Sequence, residues 1–143
     1  ALAASSTSIT LKFSWVAANS ASLLEGKDCL IIDSFGLLSS IYRYGTIAYI
    51  GGGFGAGIHN TLEAAVYGMP VLFGPRYHKF KEAKDLIAVG GGFSITDDSS
   101  FRTKMDELLT DPTALETSGQ AAGDFVKNSV GATDQILRQI HIR

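Results

Sequence analysis

The whole chain has a single cysteine, Cys29. Without a second thiol no disulfide framework or thiolate metal cluster can form, and a reducing compartment fits. Cys29 lies in an apolar run and reads as a small core residue. Charge is balanced as well as sparse. Twelve Lys and Arg against fourteen Asp and Glu give a formal net charge of -2, so there is no basic excess to meet nucleic acid. A membrane-spanning run is missing too. The longest uncharged stretch, between Arg43 and Glu63, holds six glycines together with His59 and Asn60. The first residues, ALAASSTSITL, carry no basic region ahead of their apolar ones and do not read as a signal peptide. No Gly-Lys-Ser/Thr follows the glycines, which argues against a P-loop ATPase.

What the sequence does have is apolar residues and glycine. With 143 residues, 45% hydrophobic and 18% charged, it reads as one soluble globular domain with a sizeable core. Sixteen glycines is a high number, and eleven of them fall between Gly45 and Gly92. Such clustering points to loops that need positive φ or close backbone approach.

Residues 1 to 10 look like the end of something begun upstream. Leu11 to Val16 alternates apolar and polar residues, as a strand near a sheet edge does, and a short helix is expected over Ala17 to Gly26. Cys29 to Ile32 reads as a strand buried on both faces. Leu37, Leu38, Ile41 and Tyr42 recur at helical spacing, with Gly45 as the C′ residue. The strand Ile47 to Ile50 opens into Gly51-Gly52-Gly53. A two-turn helix is expected from Asn60, with Leu62, Ala65 and Val66 buried and with Gly68 and Pro70 stopping it. Val71 to Phe73 is the next buried strand. Lys81 to Val89 is helical and Phe93 to Ile95 is a short strand. Asp97 to Ser99 offer N-cap oxygens to a helix whose core face is Phe101, Met105, Leu108 and Leu109. Pro112 starts a helix carrying Leu115, Ala122, Phe125 and Val126, and a last amphipathic segment presents Ile136, Leu137 and Ile140. Strands alternate with helices, so the fold class is α/β. A parallel sheet with helices on both faces follows, since parallel strands need covering crossovers.

Three buried strands end in Asp33-Ser34-Phe35-Gly36, in Gly51-Gly52-Gly53 and in Gly74-Pro75-Arg76. Those ends share one edge of a parallel sheet, where ligands of open α/β sheets bind. The loop Gly51–Gly57 has five glycines in seven residues and is expected to run into a helix N-terminus. Unpaired N–H groups there favour an anion, and phosphate is the natural guest; a tight turn with nothing bound is the alternative. Asn60 and Glu63 have the spacing of a capping box, which would make Glu63 structural. A carboxylate can equally accept hydrogen bonds from a sugar diol. His59 is placed to donate to a phosphate, or is a surface or packing histidine. Arg76 to Lys84 holds four of the twelve basic residues, with His78, and borders the same crevice or forms a solvated helix face. Gly51-x-Gly53-x-x-Ala56 meets a loose dinucleotide fingerprint, but Arg76 stands where an acidic ribose ligand would end the next strand. That combination would suit an NADP-binding domain of an oxidoreductase.

With these residues in view, the chain resembles the C-terminal half of a bacterial Kdo transferase. That enzyme moves 3-deoxy-D-manno-octulosonic acid (Kdo) from CMP-Kdo onto a lipid A precursor in lipopolysaccharide biosynthesis. The resemblance rests on Gly51-Gly52, His59-Asn60-x-x-Glu63, Gly68-x-Pro70-Val71 and Gly74-Pro75, with Asp33-x-Phe35-Gly36 as a further match. It covers about Asp28 to Ile95. It implies a Rossmann-like three-layer domain spanning 1–143, the C-terminal half of a GT-B glycosyltransferase. Within it, 28–95 is the motif-bearing core, 97–143 the C-terminal helices, and 1–27 adds little.

By this resemblance His59 and Asn60 would receive the CMP phosphate and Glu63 the ribose hydroxyls. Gly52 and Gly53 would allow close approach, and Ser34, Gly36 and Pro75 would shape the nucleotide pocket. Charge and position add Arg76 and Lys79 as partners for the Kdo carboxylate. No metal or other cofactor is expected. Two positions depart from the family pattern: Gly57-Ile58 replaces the common Gly-Gly before His-Asn, and Gly36-Leu37-Leu38 replaces Gly-Glu-Leu. The catalytic base and the acceptor site belong to the family's N-terminal half, so a chain like this one is expected to bind donor and to be inactive alone. The full-length enzyme is expected at the cytoplasmic face of the bacterial inner membrane.

Overall fold

The computed structural model describes residues 11–13, 30–32 and 36–129. It divides into two compact units, Ala1–Leu38 and Ser39–Arg143. In the first unit β1 (Leu11–Phe13) pairs in parallel with β2 (Leu30–Ile32), Lys12 opposite Ile31. β1 falls within the strand expected over Leu11 to Val16, whose residues 14–16 lie outside the described residues. The helix expected over 17–26 and the amphipathic segment after Gly131 lie outside the described residues.

α1 (Leu38–Ile41) starts at the last residue of the first unit, and in the second unit it passes into a 3-10 turn, Tyr42–Tyr44. Gly45 has φ -85°, so it ends this turn without the left-handed conformation expected of it. A parallel three-stranded sheet follows, in the order β3 (Ala48–Ile50), β4 (Val71–Phe73), β5 (Gly92–Ser94). The crossovers that parallel pairing demands contain α2 (Leu62–Ala65) between β3 and β4, and α3 (Lys81–Ala88) between β4 and β5. α4 (Asp98–Thr110) and α5 (Pro112–Ser129) complete the unit.

β4 is the centre of this arrangement. It is buried at all three residues, as its unbroken apolar run predicted. Side chains alternate across a strand, so Val71 and Phe73 enter one core and Leu72 the other. The first core adds Ala48, Ile50, Ala64, Ala65, Ala83, Leu86 and Ala122, from β3, α2, α3 and α5. The second adds Ile95 and Leu108, with Phe93, Phe101, Met105 and Leu115 packed against them. Helices therefore cover both faces of a parallel sheet, and the fold is α/β and Rossmann-like.

Two helices depart from expectation. α2 is a single turn from Leu62 to Ala65 rather than two turns from Asn60. With Gly68 at φ +72° so close behind, Val66 falls beyond the helix and is 49% exposed. In α4, Leu108 is fully buried while its neighbour Leu109 is 62% exposed, because one turn can point only one of the two at the sheet. α5 is seated by small residues that periodicity alone does not reveal. Ser118, Gly119, Ala122 and Gly123 are its buried positions. A methyl built on Gly119 would lie 2.4 Å from the carbonyl oxygen of Gly68, and one on Gly91 2.6 Å from the amide nitrogen of Ala122. The helix thus rests backbone to backbone on the loops before β4 and β5.

Candidate functional site

Because both pairings are parallel, β3, β4 and β5 all end on one edge of the sheet. β3 runs into Gly51, β4 into Gly74-Pro75-Arg76 and β5 into Ile95. The crevice anticipated from the sequence is built on the first two of these ends.

The loop after β3 folds back on itself instead of opening into a helix. The Gly53 amide donates to the carbonyl of Gly57 (2.7 Å), the His59 amide donates to that of Gly51 (3.2 Å), and Gly52 bridges Ile58 in antiparallel fashion. Gly52 and Gly53 both lie in the left-handed region, at φ +86° and +82°. A methyl on Gly52 would stand 2.1 Å from the Gly57 carbonyl oxygen, and one on Gly53 2.7 Å from the Cα of Gly74. The loop is therefore a tight hairpin laid main chain on main chain over the end of β4.

This corrects one inference from composition. Glycine at 52 and 53 is already required by the loop's own geometry, and the Gly53 and His59 amides are already paired within it. Only Gly55 has open space around it and no left-handed φ. α2 begins well after the hairpin, behind the buried Ile58.

Arg76 fastens the hairpin at two points. Its backbone amide donates to the Gly53 carbonyl (2.9 Å) and its Nη1 donates to the Gly55 carbonyl (2.8 Å). Between hairpin and strand end lies a cleft of about 380 Å³ lined by Gly55, Ala56, Pro75, Arg76, His78, Lys79 and Phe80. Arg76 and Lys79 make one wall cationic, and both are exposed, as is His78 beside them. The Phe80 ring supports the other side: a methyl on Gly57 would lie 3.0 Å from its Cζ. Pro75, Arg76 and Lys79, three residues expected at the site, are thus brought together. Gly55, Ala56 and Phe80 join them without having been expected as ligand contacts: Gly55 was legible only as part of the glycine run, Ala56 only through the dinucleotide fingerprint, and Phe80 only by lying in the basic run.

His59, Asn60 and Glu63 form a second group that does not line this cleft. His59 and Asn60 are exposed and Glu63 is half-buried. Asn60 Oδ1 accepts the amide of Leu62 (3.1 Å), while its Nδ2 donates to Glu63 Oε1 (3.0 Å). This differs from a capping box, in which Glu63 would reach back to the Asn60 backbone amide. Glu63 is instead held by a side chain. The half-buried Tyr42 has its phenol raised above the usual tyrosine value, first by burial and then by the Glu63 carboxylate. Buried Thr61, between Asn60 and Leu62, has a hydroxyl with no hydrogen-bond partner. Ser34 lies outside the described residues, and Gly36 belongs to the first unit, where it is exposed at φ +81°.

The dinucleotide fingerprint does not survive this geometry. Its third small residue packs a helix that opens directly from the glycine turn, whereas Ala56 sits in the hairpin and lines the cleft. Among the described residues no group of three or more His, Cys, Asp or Glu could hold a metal ion, and no helix is long and apolar enough to cross a membrane.

No protein-family model matches the chain. Individual proteins do. It is 40% identical over 89 residues, 61% of its length, to the 3-deoxy-D-manno-octulosonic acid transferase of Aquifex aeolicus. It is 34% identical over 116 residues, 79% of its length, to the enzyme of the same name from Rickettsia conorii. The Bordetella pertussis enzyme is 33% identical over 115 residues. The chain is a relative of the Kdo transferases. It spans about 25% of the length of the Aquifex and Rickettsia Kdo transferases and 26% of the Bordetella one. Its fold is also that of a solved structure, the C-terminal CMP-Kdo binding domain of WaaA from Acinetobacter baumannii. That match has TM-score 0.65 at 24% identity and covers 81% of this chain and 60% of the other. None of these Kdo-transferase matches lends support to the oxidoreductase alternative.

Proposed function

We propose that this chain is the donor-binding domain of a Kdo transferase, an inverting glycosyltransferase, and that it holds CMP-Kdo at the edge formed by the ends of β3 and β4. The observation that carries the reading is the cleft whose cations are Arg76 and Lys79, beneath a hairpin that Arg76 itself fastens. CMP-Kdo bears two anionic groups, a phosphodiester and a carboxylate, both attached to the anomeric carbon of Kdo. A cationic wall in a partly enclosed cleft suits one of them, because Coulomb attraction strengthens as water is excluded. Arg adds a planar fork that matches a carboxylate or phosphate.

In this reading Arg76 and Lys79 meet the Kdo carboxylate, and His59 and Asn60 lie toward the phosphate. Glu63 accepts from the ribose, and Pro75, which lines the cleft, borders the nucleotide. Gly52 and Gly53 act indirectly, by letting the hairpin lie close to β4. The transfer itself, in which a carboxylate base activates an acceptor hydroxyl that displaces CMP, draws in this reading on a base from the family's N-terminal half. The chain alone is inactive in this reading. The acceptor, a lipid A precursor, and placement at the cytoplasmic face of the bacterial inner membrane belong to the same proposal, as does the absence of any metal requirement.

Titration with CMP, CMP-Kdo and NADP, followed by amide chemical shifts, tests it. Cytidine ligands are expected to move the resonances of Gly52 to Glu63 and Arg76 to Lys79 selectively. A response to NADP alone overturns the proposal.

A further inference from the structure

The Glu63 carboxylate accepts from a side chain, where a capping residue would accept from a backbone amide. Its Oε1 accepts from Asn60 Nδ2 at 3.0 Å. Asn60 is in turn anchored, because its Oδ1 accepts from the Leu62 amide at 3.1 Å. The carboxamide therefore has both ends engaged: one tied to the first turn of α2, the other aimed at the carboxylate three residues on. An Asn that bound an anion through Nδ2 would have to give up Glu63, and a Glu63 released from Asn60 would lose its orientation. The single turn of α2 makes this more acute, since Glu63 has little helix around it to limit its rotamers. The Glu63 carboxylate also contributes, after burial, to raising the Tyr42 phenol above the usual tyrosine value.

We infer that Asn60 is a positioning residue that fixes the Glu63 carboxylate by one oxygen and leaves the other to accept from a ribose hydroxyl of the bound nucleotide. The inference rests on the donor-binding reading but changes the part played by Asn60. Its amide serves the sugar end of the ligand through Glu63 and is not the direct phosphate contact. Recognition of the ribose then depends on two side chains acting as a unit, and their effects on binding are non-additive.

The experiment compares CMP with 2′,3′-dideoxy-CMP, which keeps base and phosphate but lacks both hydroxyls. Their affinity ratio for the 143-residue chain reports the ribose contact alone. The wild-type chain is expected to prefer CMP by about tenfold or more, the usual worth of a hydrogen bond to a charged group. Asn60→Ala is expected to remove most of that preference while leaving dideoxy-CMP affinity nearly unchanged. In a Glu63→Gln background the same substitution is expected to leave the ratio as it stands. Asn60→Ser guards against a folding artefact: it keeps a side-chain oxygen that can accept the amide two residues on, that of Leu62, but has no amide to offer Glu63, and it is expected to behave like Asn60→Ala. Equal weakening of both nucleotides by Asn60→Ser, or an undiminished ratio, overturns the inference and returns Asn60 to the phosphate. If the wild-type chain binds neither nucleotide, the donor-binding reading itself fails and takes the inference with it.

Discussion

Gly53 and Gly74 touch main chain to main chain: a methyl on Gly53 would lie 2.7 Å from the Cα of Gly74, and one on Gly74 2.6 Å from the carbonyl carbon of Gly53. The contact joins the glycine hairpin to the end of the central strand, and Gly53 makes it in the left-handed region. Gly53→Ala is therefore expected to cost about 2–4 kcal/mol, combining backbone strain with overpacking. Gly55→Ala, in the same hairpin but in open space, should stay within about 0.5 kcal/mol of wild type. Denaturant unfolding of the two variants checks the contrast. A similar cost at both positions would show that glycine in this loop serves something other than the close approach.

Arg76 has two separable properties, its charge and its fork. Arg76→Lys keeps the charge and the backbone bond to Gly53 but loses the guanidinium bond to Gly55. Amide exchange in Gly53 to Gly57 is expected to quicken by up to about tenfold in this variant, the worth of one net hydrogen bond. An Arg76→Lys hairpin as protected as wild type would mean that the fork does not hold the loop.

α5 is seated on Gly119, where helix propensity and packing oppose one another. Alanine is worth up to about 1 kcal/mol over glycine within a helix. The methyl it adds at 119 would stand 2.4 Å from the Gly68 carbonyl oxygen. Packing should prevail, with Gly119→Ala net destabilising by about 1–3 kcal/mol. Thermal and denaturant unfolding give the sign directly.

Asp97 caps α4. Its carboxylate accepts the Ser100 amide at 2.7 Å, and the Ser100 hydroxyl accepts the Asp97 amide in return. The Ser100 amide, then the Ser100 hydroxyl, hold the Asp97 carboxyl below its ordinary value. A depressed folded-state value stabilises above the unfolded value and stops doing so as pH falls through the folded one. The melting temperature of Asp97→Ala should therefore lie below wild type at neutral pH. The gap should close as pH drops below about 3.9, the unperturbed aspartate value.

Tyr42 reports on Glu63. Burial is the larger cause of its raised phenol and Glu63 the smaller. In Glu63→Gln the Tyr42 value should fall but remain above that of a free tyrosine. Spectrophotometric titration against a Tyr42→Phe control isolates it. A value that does not move would place the carboxylate away from Tyr42.

Much of this was legible because it is local. Val71-Leu72-Phe73, bounded by Pro70 and Gly74, can be little else than a buried strand. Asp97 ahead of an amphipathic run announces a helix start, and β3 and β5 fall within one residue of where their apolar runs placed them. What stayed hidden depends on residues far apart in sequence. Nothing in the glycine run discloses that Gly53 will meet Gly74, so its glycines read as a sign of ligand when two of them serve the hairpin. Gly91 and Gly119 likewise acquire meaning only when α5 is in place. The Asn60-x-x-Glu63 spacing was visible, but a carboxamide can bond to backbone or to carboxylate, and only the folded loop selects. Val66 fails for another reason: helical periodicity holds only while the helix lasts, and α2 stops after one turn.

β4 contributes Val71 and Phe73 to one core and Leu72 to the other, and its end carries the hairpin and Arg76. A strand shared in this way cannot come loose on one face and stay packed on the other. The two layers should therefore melt as one cooperative unit, and the amide protons of β4 should exchange only through global unfolding. A ligand held at the end of β4 would then slow exchange throughout both layers, well beyond the residues it touches.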